Sequence, residues 1–207
     1  MTELIQGTDA WRMARVGKVT ASRICDVMAT IKTGEAAARA DYRAQLVAEI
    51  LTGTPQDGDF ISKDMLYGIE IEPLARAAYE VANGVLIDEV GLVDHPTIPR
   101  SAASPDGLIE RDGLIEIKCP KLKTHLQYIM SGKVPNDYHL QMLWQMACTG
   151  RGYCKFVSFR PELPDHLRLH VVHVQRDNTK IKEIEEAVVK FNKSVDEMIA
   201  ALEKRPQ

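Results

Sequence analysis

The chain has no Cys-x-x-Cys pair. Its four cysteines, Cys25, Cys119, Cys148 and Cys154, are scattered, so neither a zinc site nor an iron–sulfur cluster is expected. Reduced thiols in a cytoplasm are the simpler account. No stretch reaches the roughly 20 apolar residues that a membrane-spanning helix requires. The first residues, Met1 to Gly7, lack the positive flank and apolar run of an export signal, so a soluble, cytoplasmic protein that touches no membrane is expected. Pro/Gly/Ser-rich linkers, internal repeats and low-complexity tracts are absent as well. With 207 residues, 45% of them hydrophobic, the chain can bury one sizeable core, and residues 1–207 are expected to form a single domain. An excess of positive charge is also missing. A formal net charge of −3 argues against a protein that coats nucleic acid through bulk charge, yet suits an enzyme that gathers Arg and Lys in a channel and binds metal with its acids.

What is present is a compact chemical signature. Ser104-Pro105-Asp106-Gly107 is followed by Glu116-Ile117-Lys118, which supplies two carboxylates and a lysine able to converge on one phosphate. That is the equipment of a metal-dependent nuclease. Leu108 to Glu110 and Leu114 to Lys118 read as strands joined at Arg111-Asp112-Gly113, with Gly113 in the left-handed place of a three-residue hairpin loop. In that register Glu110 faces Leu114, Leu108 faces Glu116 and Asp106 faces Lys118. Asp106, Glu116 and Lys118 then share one face, while Ile115, Ile117 and Cys119 point into a core. The two carboxylates become diagonal neighbours roughly 7–8 Å apart, close enough to touch one ion. Magnesium suits them because it takes oxygen ligands, keeps several waters and accepts phosphate oxygens. A solvated hairpin carrying an ion pair would show the same residues.

The coarse pattern gives helices near 9–29, 35–52 and 63–83, strands near 86–94, 107–111 and 114–119, and helices near 121–131 and 137–148. Strands near 153–160 and 167–176 follow, and a helix from about 179 closes the chain. The mixture predicts an α/β fold with a central mixed β-sheet flanked by helices. The last helix repeats apolar residues at Ile181, Ile184, Val188, Phe191, Val195, Met198 and Leu202. That spacing fits either a subunit seam or packing onto the sheet of the same chain. Near the start, Gly17 interrupts a helical segment and Thr20 or Ser22 can begin another as an N-cap. With Arg15 beside it, such a helix start is an anion clamp.

Five segments, in chain order, resemble the lambda exonuclease family of phage recombination nucleases, the YqaJ-type viral recombinases of the PD-(D/E)xK superfamily. Trp11-Arg12-Met13-Ala14-Arg15-Val16-Gly17-Lys18-Val19-Thr20-Ala21-Ser22 is similar to the family's W-x-x-x-R-x-G-x-x-T-A-S segment. Gly68-Ile69-Glu70-Ile71-Glu72 is similar to a helix whose glycine precedes a site glutamate by four. Ser104 to Gly107 and Glu116-Ile117-Lys118-Cys119-Pro120 match the acid motifs closely, and Tyr138-His139-Leu140-Gln141 resembles the helix that carries a site glutamine.

The resemblance implies a restriction-endonuclease-like core and a Mg2+-dependent 5′→3′ exonuclease, with Mn2+ able to take the ion's place. Such an enzyme degrades one strand at double-stranded DNA ends and leaves a 3′ single strand for phage-type recombination by annealing. It further implies that Asp106, Glu116 and the Ile117 carbonyl ligate metal, that Lys118 serves the attacking water, and that Glu72 and Gln141 complete the site. Arg15 and Ser22 would hold the 5′-terminal phosphate. A phage single-strand annealing protein as partner, a trimeric homo-oligomeric ring around DNA and a bacterial host cytoplasm come from the same source. Plainer readings stand beside these: Trp11 as a packing residue, Arg76 in a surface ion pair, Glu70 and Glu72 on a solvated helix face, Gln141 satisfying buried backbone. Two rival functions also stand, a sequence-specific or structure-specific endonuclease of the same fold and a non-catalytic DNA-end-binding module.

Overall fold

The structure is a computed structural model that describes residues 4–56 and 62–205; the reading of Met1, Thr2 and Glu3 lies outside them. Seventeen elements run along the chain among the described residues, sixteen of them named here as helices and strands. The first part comprises α1 (Asp9–Arg15), β1 (Val19–Thr20), a 3-10 turn (Ala21–Arg23), α2 (Ile24–Met28), α3 (Ala37–Thr52) and α4 (Lys63–Asn83). Five strands follow: β2 (Ile87–Asp88), β3 (Val93–Asp94), β4 (Ser101–Ala103), β5 (Gly107–Ile109) and β6 (Gly113–Lys118). The remainder is α5 (Leu122–Ser131), α6 (Asn136–Thr149), β7 (Tyr153–Phe159), α7 (Asp165–Arg168), β8 (Leu169–Gln175) and α8 (Asn178–Glu203).

The main sheet has the order β2-β5-β6-β7-β8. Only β6 and β7 run parallel, and the crossover between them contains α5 and α6. A small second sheet orders β1-β4-β3. The α/β fold, a central mixed sheet flanked by helices, is therefore the observed architecture, and β6 explains why it has two covered faces. Leu114 and Glu116 point to one side, into a cluster with Phe156, Val174 and the inner faces of α2, α3, α6 and α8. Ile115 and Ile117 point to the other, where Ala75 and Tyr79 of α4 close over Ile87, Val157 and Phe159.

Several expectations are corrected. The helix expected over 9–29 is broken into α1, β1, the 3-10 turn and α2, because Gly17 turns the chain with φ +68°. The strand expected over 86–94 divides into β2 and β3, which belong to different sheets. The β5–β6 hairpin pairs Leu108 with Leu114 and Ile109 with Gly113. Its loop is thus Glu110 to Asp112, two residues out of the expected register, with Glu110 rather than Gly113 in the left-handed conformation, at φ +47°. The cause is tertiary. Any Cβ on Gly113 would come within 2.4 Å of the Tyr153 ring on β7, so that glycine is needed in the strand. A shift of two preserves side-chain parity, and Glu116 and Lys118 keep their shared face. The terminal helix α8 buries Ile181, Ile184, Val188, Phe191 and Val195 mainly against α3, α2 and α6 of the same chain rather than across the sheet.

Candidate active site

The observed register, extended by one residue, sets Asp106 opposite Glu116 instead of Lys118. Pairing of β5 starts at Gly107, and the Asp106 carboxylate takes the ladder place of a longer strand, with Oδ2 accepting the Ile117 N–H at 2.7 Å. Glu116 is fully buried between β6 and α6. Its Oε1 accepts from Lys118 Nζ at 2.5 Å and Gln141 Nε2 at 2.7 Å. Its Oε2 accepts from Gln145 Nε2 at 2.5 Å. Lys118 also lies over the Tyr138 ring, 4.9 Å from its centroid.

Glu72 reaches the same place from α4, next to Pro73, whose missing N–H interrupts the helix ladder. Arg76, one turn on, donates to Glu72 at 2.8 Å and to the Asp106 carbonyl at 3.3 Å. It also pairs with Glu89 at 2.8 Å. Arg76 is therefore a strut between α4 and the acid loop as well as an ion-pair partner. Glu72, Ile117 and Lys118 contribute to a groove of about 840 Å³ whose walls also present Lys63, Tyr67, Lys121 and Arg160.

The electrostatics show carboxylates crowded together. Burial raises the Asp106 pKa well above the usual carboxylate range, and Glu116 and Glu72 add to the shift. Burial likewise raises Glu72, opposed by Arg76 and reinforced by Glu116. Burial would lower the Lys118 pKa, but Glu116 and Asp106 outweigh it and push it up. Cys119, at the end of β6, is raised to about 12 by burial first and then by Glu72 and Asp106. Among the described residues, no group of three His, Cys, Asp or Glu side chains is arranged as a metal cage. Two mutually repelling carboxylates beside a backbone carbonyl nonetheless form an oxygen-only donor set. This fits a hard divalent cation that draws its other ligands from water and phosphate, and does not fit zinc.

Arg15 and Ser22 line a second cavity, about 80 Å³, together with Arg12, Lys18, Thr20 and Arg23. The helix-start clamp expected there takes another form. Thr20 belongs to β1 and makes no side-chain cap, Ser22 lies within the 3-10 turn, and α2 starts at Ile24. The cavity is shaped instead by Glu49 of α3, whose Oε2 accepts the Gly17 N–H at 2.8 Å. It is tied to the acid loop through Trp11. The Arg15 guanidinium stacks 4.1 Å from the Trp11 ring centroid, and Trp11 Nε1 donates to Ser104 Oγ at 2.9 Å. Gln6 adds a bond to the Pro105 carbonyl at 2.7 Å.

The structure thus brings Asp106, Glu116, Lys118, Glu72 and Gln141 together and places Arg15 and Ser22 in a separate cationic cavity. Sequence reasoning passed over Gln145 and Glu49. Gln145 carried a readable signal, a second glutamine four residues after Gln141 on the same helical face; Glu49 carried none, since its partner Gly17 is distant in the chain.

The model of the YqaJ-like viral recombinase domain matches residues 10–152. No curated protein matches the chain. Among solved structures, the chain is similar to LHK-Exo in complex with dAMP, at 45% identity and a TM-score of 0.89, covering 95% of this chain and 97% of that one. A further structure of LHK-Exo, an alkaline exonuclease from Laribacter hongkongensis, is similar at 45% identity and a TM-score of 0.87, covering 95% of this chain and 97% of that one. A phage-related exonuclease from Haemophilus somnus 129PT shares the fold, at 18% identity and a TM-score of 0.72, covering 89% of this chain and 96% of that one.

Proposed function

The chain belongs to the YqaJ-like viral recombinase family, whose membership supports a DNA exonuclease role, and from that premise we propose a Mg2+-dependent 5′→3′ exonuclease acting on double-stranded DNA ends. The observation that carries the proposal is the convergence of Glu72, Asp106, Glu116, Lys118 and Gln141 from α4, the acid loop, β6 and α6. A surface ion pair needs no such gathering of acids around a buried glutamate.

Exonucleases of this family generally use a divalent metal ion. Held by Asp106, Glu116 and the Ile117 carbonyl, Mg2+, or Mn2+ in its place, would supply Lewis-acid polarisation of the scissile phosphate and a more acidic water. Lys118 brings its ammonium to the phosphate and orients the attacking water, offsetting charge in the transition state. Gln141 fixes the outer oxygen of Glu116, and Glu72, braced by Arg76, borders the reacting phosphate. Arg15 and Ser22 receive the 5′-terminal phosphate in the cationic cavity. The Trp11–Ser104 bond then keeps that anchor at a set position relative to Asp106. The complex of LHK-Exo with dAMP supports a nucleotide ligand for this chain.

Residues 1–207 act in this reading as a single nuclease domain, since two apolar clusters cover the two faces of one five-stranded sheet. The product is a 3′-ended single strand, coated by a phage-type annealing protein in the cytoplasm of a bacterial host, and the enzyme is a trimeric ring. Among the described residues no helix is long and apolar enough to cross a membrane. The test is to incubate linear and covalently closed duplexes with the protein, with and without Mg2+. Nucleotide release from the linear duplex alone, and only with Mg2+, is expected. Cutting of the closed circle would indicate an endonuclease, and binding without release a non-catalytic module.

A further inference from the structure

Glu116 is held unevenly. Its Oε1 meets Lys118, which lines the groove, and the half-buried Gln141. Its Oε2 meets only Gln145 among the described residues, at 2.5 Å. Gln145 sits one helical turn deeper and is 0% exposed, on a helix where Met142, Leu143, Trp144 and Met146 are equally buried. It cannot swing out to water. Its own Oε1 has no hydrogen-bond partner, a cost that an apolar side chain at this position would not carry. The gain that offsets this is the bond to Glu116.

We propose that Gln145 is a positioning residue that makes Glu116 a one-oxygen metal ligand and thereby favours Mg2+ over Ca2+; the inference rests on Glu116 being a ligand, as read above. With Oε2 tied into the core, Oε1 is the oxygen on the groove side, against Lys118, which lines the groove. Mg2+ demands near-ideal octahedral geometry and takes single carboxylate oxygens, whereas Ca2+ takes six to eight oxygens and readily accepts both oxygens of one carboxylate. Groups that hydrogen-bond to metal-ligating carboxylates typically change metal affinity ten- to hundredfold when removed.

The test needs no catalysis. Full-length protein without DNA is loaded with Mn2+, whose EPR signal reports free ion, and the bound Mn2+ is displaced with Mg2+ or Ca2+. Gln145→Met should weaken Mg2+ about tenfold while Ca2+ holds or tightens, so the Mg2+ preference falls by about tenfold or more. Gln145→Asn, too short to reach Oε2, should repeat this shift and serves if the methionine variant does not fold. Equal losses for both ions, or no change, would overturn the proposal and leave Gln145 a packing residue. Glu116→Ala separates the two readings: it should lose Mn2+ binding, and native-like binding by that variant would overturn the ligand assignment itself.

Discussion

Replacing Glu49 should damage both the fold and the recognition of DNA ends, by an amount the structure sets. Glu49 is 5% exposed. One oxygen accepts the Gly17 N–H at 2.8 Å, and the other accepts the Gln45 amide at 2.9 Å and, at 3.4 Å, the Gln56 N–H. The turn it holds also requires a glycine. Gly17 has φ +68° and a Cβ there would come within 2.7 Å of Ile50. Glu49→Ala deletes the short bond from the Gly17 N–H, the long and weak one from the Gln56 N–H and the side-chain bond from Gln45, together about 2–4 kcal/mol. A loss of about 2–4 kcal/mol corresponds to a melting temperature lower by roughly 5–15 °C in a chain of this size. Because the turn sets Arg15 and Lys18 at the cavity wall, the variant should also lose preference for 5′-phosphorylated over 5′-hydroxyl ends. Arg15→Ala provides the comparison. It should lose that preference roughly ten- to hundredfold, as expected for a charge-assisted phosphate contact, while melting near the native temperature. Calorimetry and initial rates on the two kinds of duplex end are the assays. Glu49→Ala melting within about 2 °C of native, with the end preference intact, would refute the reasoning.

His95 should make the protein acid-sensitive. Its Nδ1 accepts the N–H groups of Thr97 and Ile98, at 3.3 and 3.1 Å, and its ring stacks on Trp144. Burial lowers its pKa below the ordinary 6.5, against the opposing charge of Glu185. The stability due to neutral His95 is therefore complete above about pH 6.5 and is lost as pH falls from there through the folded value. His95→Asn, whose Oδ1 mimics Nδ1, should flatten the dependence of denaturation midpoint on pH between 5 and 7; an unchanged slope would exclude His95 as its source. In the hairpin, Gly113→Ala should cost about 1–3 kcal/mol by overpacking against Tyr153, whereas Glu110→Gly should be neutral or stabilising. The reverse ranking in chemical denaturation would restore the other register. Light scattering at micromolar concentration should give three times the 23.1 kDa chain mass; a monomer unchanged by linear duplex would rule out the ring.

The parts of the fold visible in the sequence are those fixed by local pattern. The α4 and α6 helices are helix-forming stretches that end at Gly84 and Gly150, and the alternation in Leu114 to Lys118 survives any even shift of register. Hidden were features decided at a distance. Gly113 is glycine because of Tyr153 on a neighbouring strand, not because of the hairpin turn. Residues 86–94 hold two short strands that pair in different sheets, a division that depends on β4, which the sequence pattern did not reveal. At the site, the motif residues named the chemistry, and two glutamines four apart could have flagged Gln145. The struts that hold the acids, Arg76 to the Asp106 carbonyl and Trp11 to Ser104, join segments that only folding brings together.

The most direct measurement is nucleotide release by Asp106→Ala on 5′-phosphorylated linear duplex with Mg2+. Far-ultraviolet circular dichroism and melting of the same preparation report whether the fold is retained. The account predicts a folded protein with no detectable hydrolysis, because the carboxylate facing Glu116 is gone. Near-native release by a folded Asp106→Ala protein would contradict the assignment of this acid cluster as the place where DNA is cut.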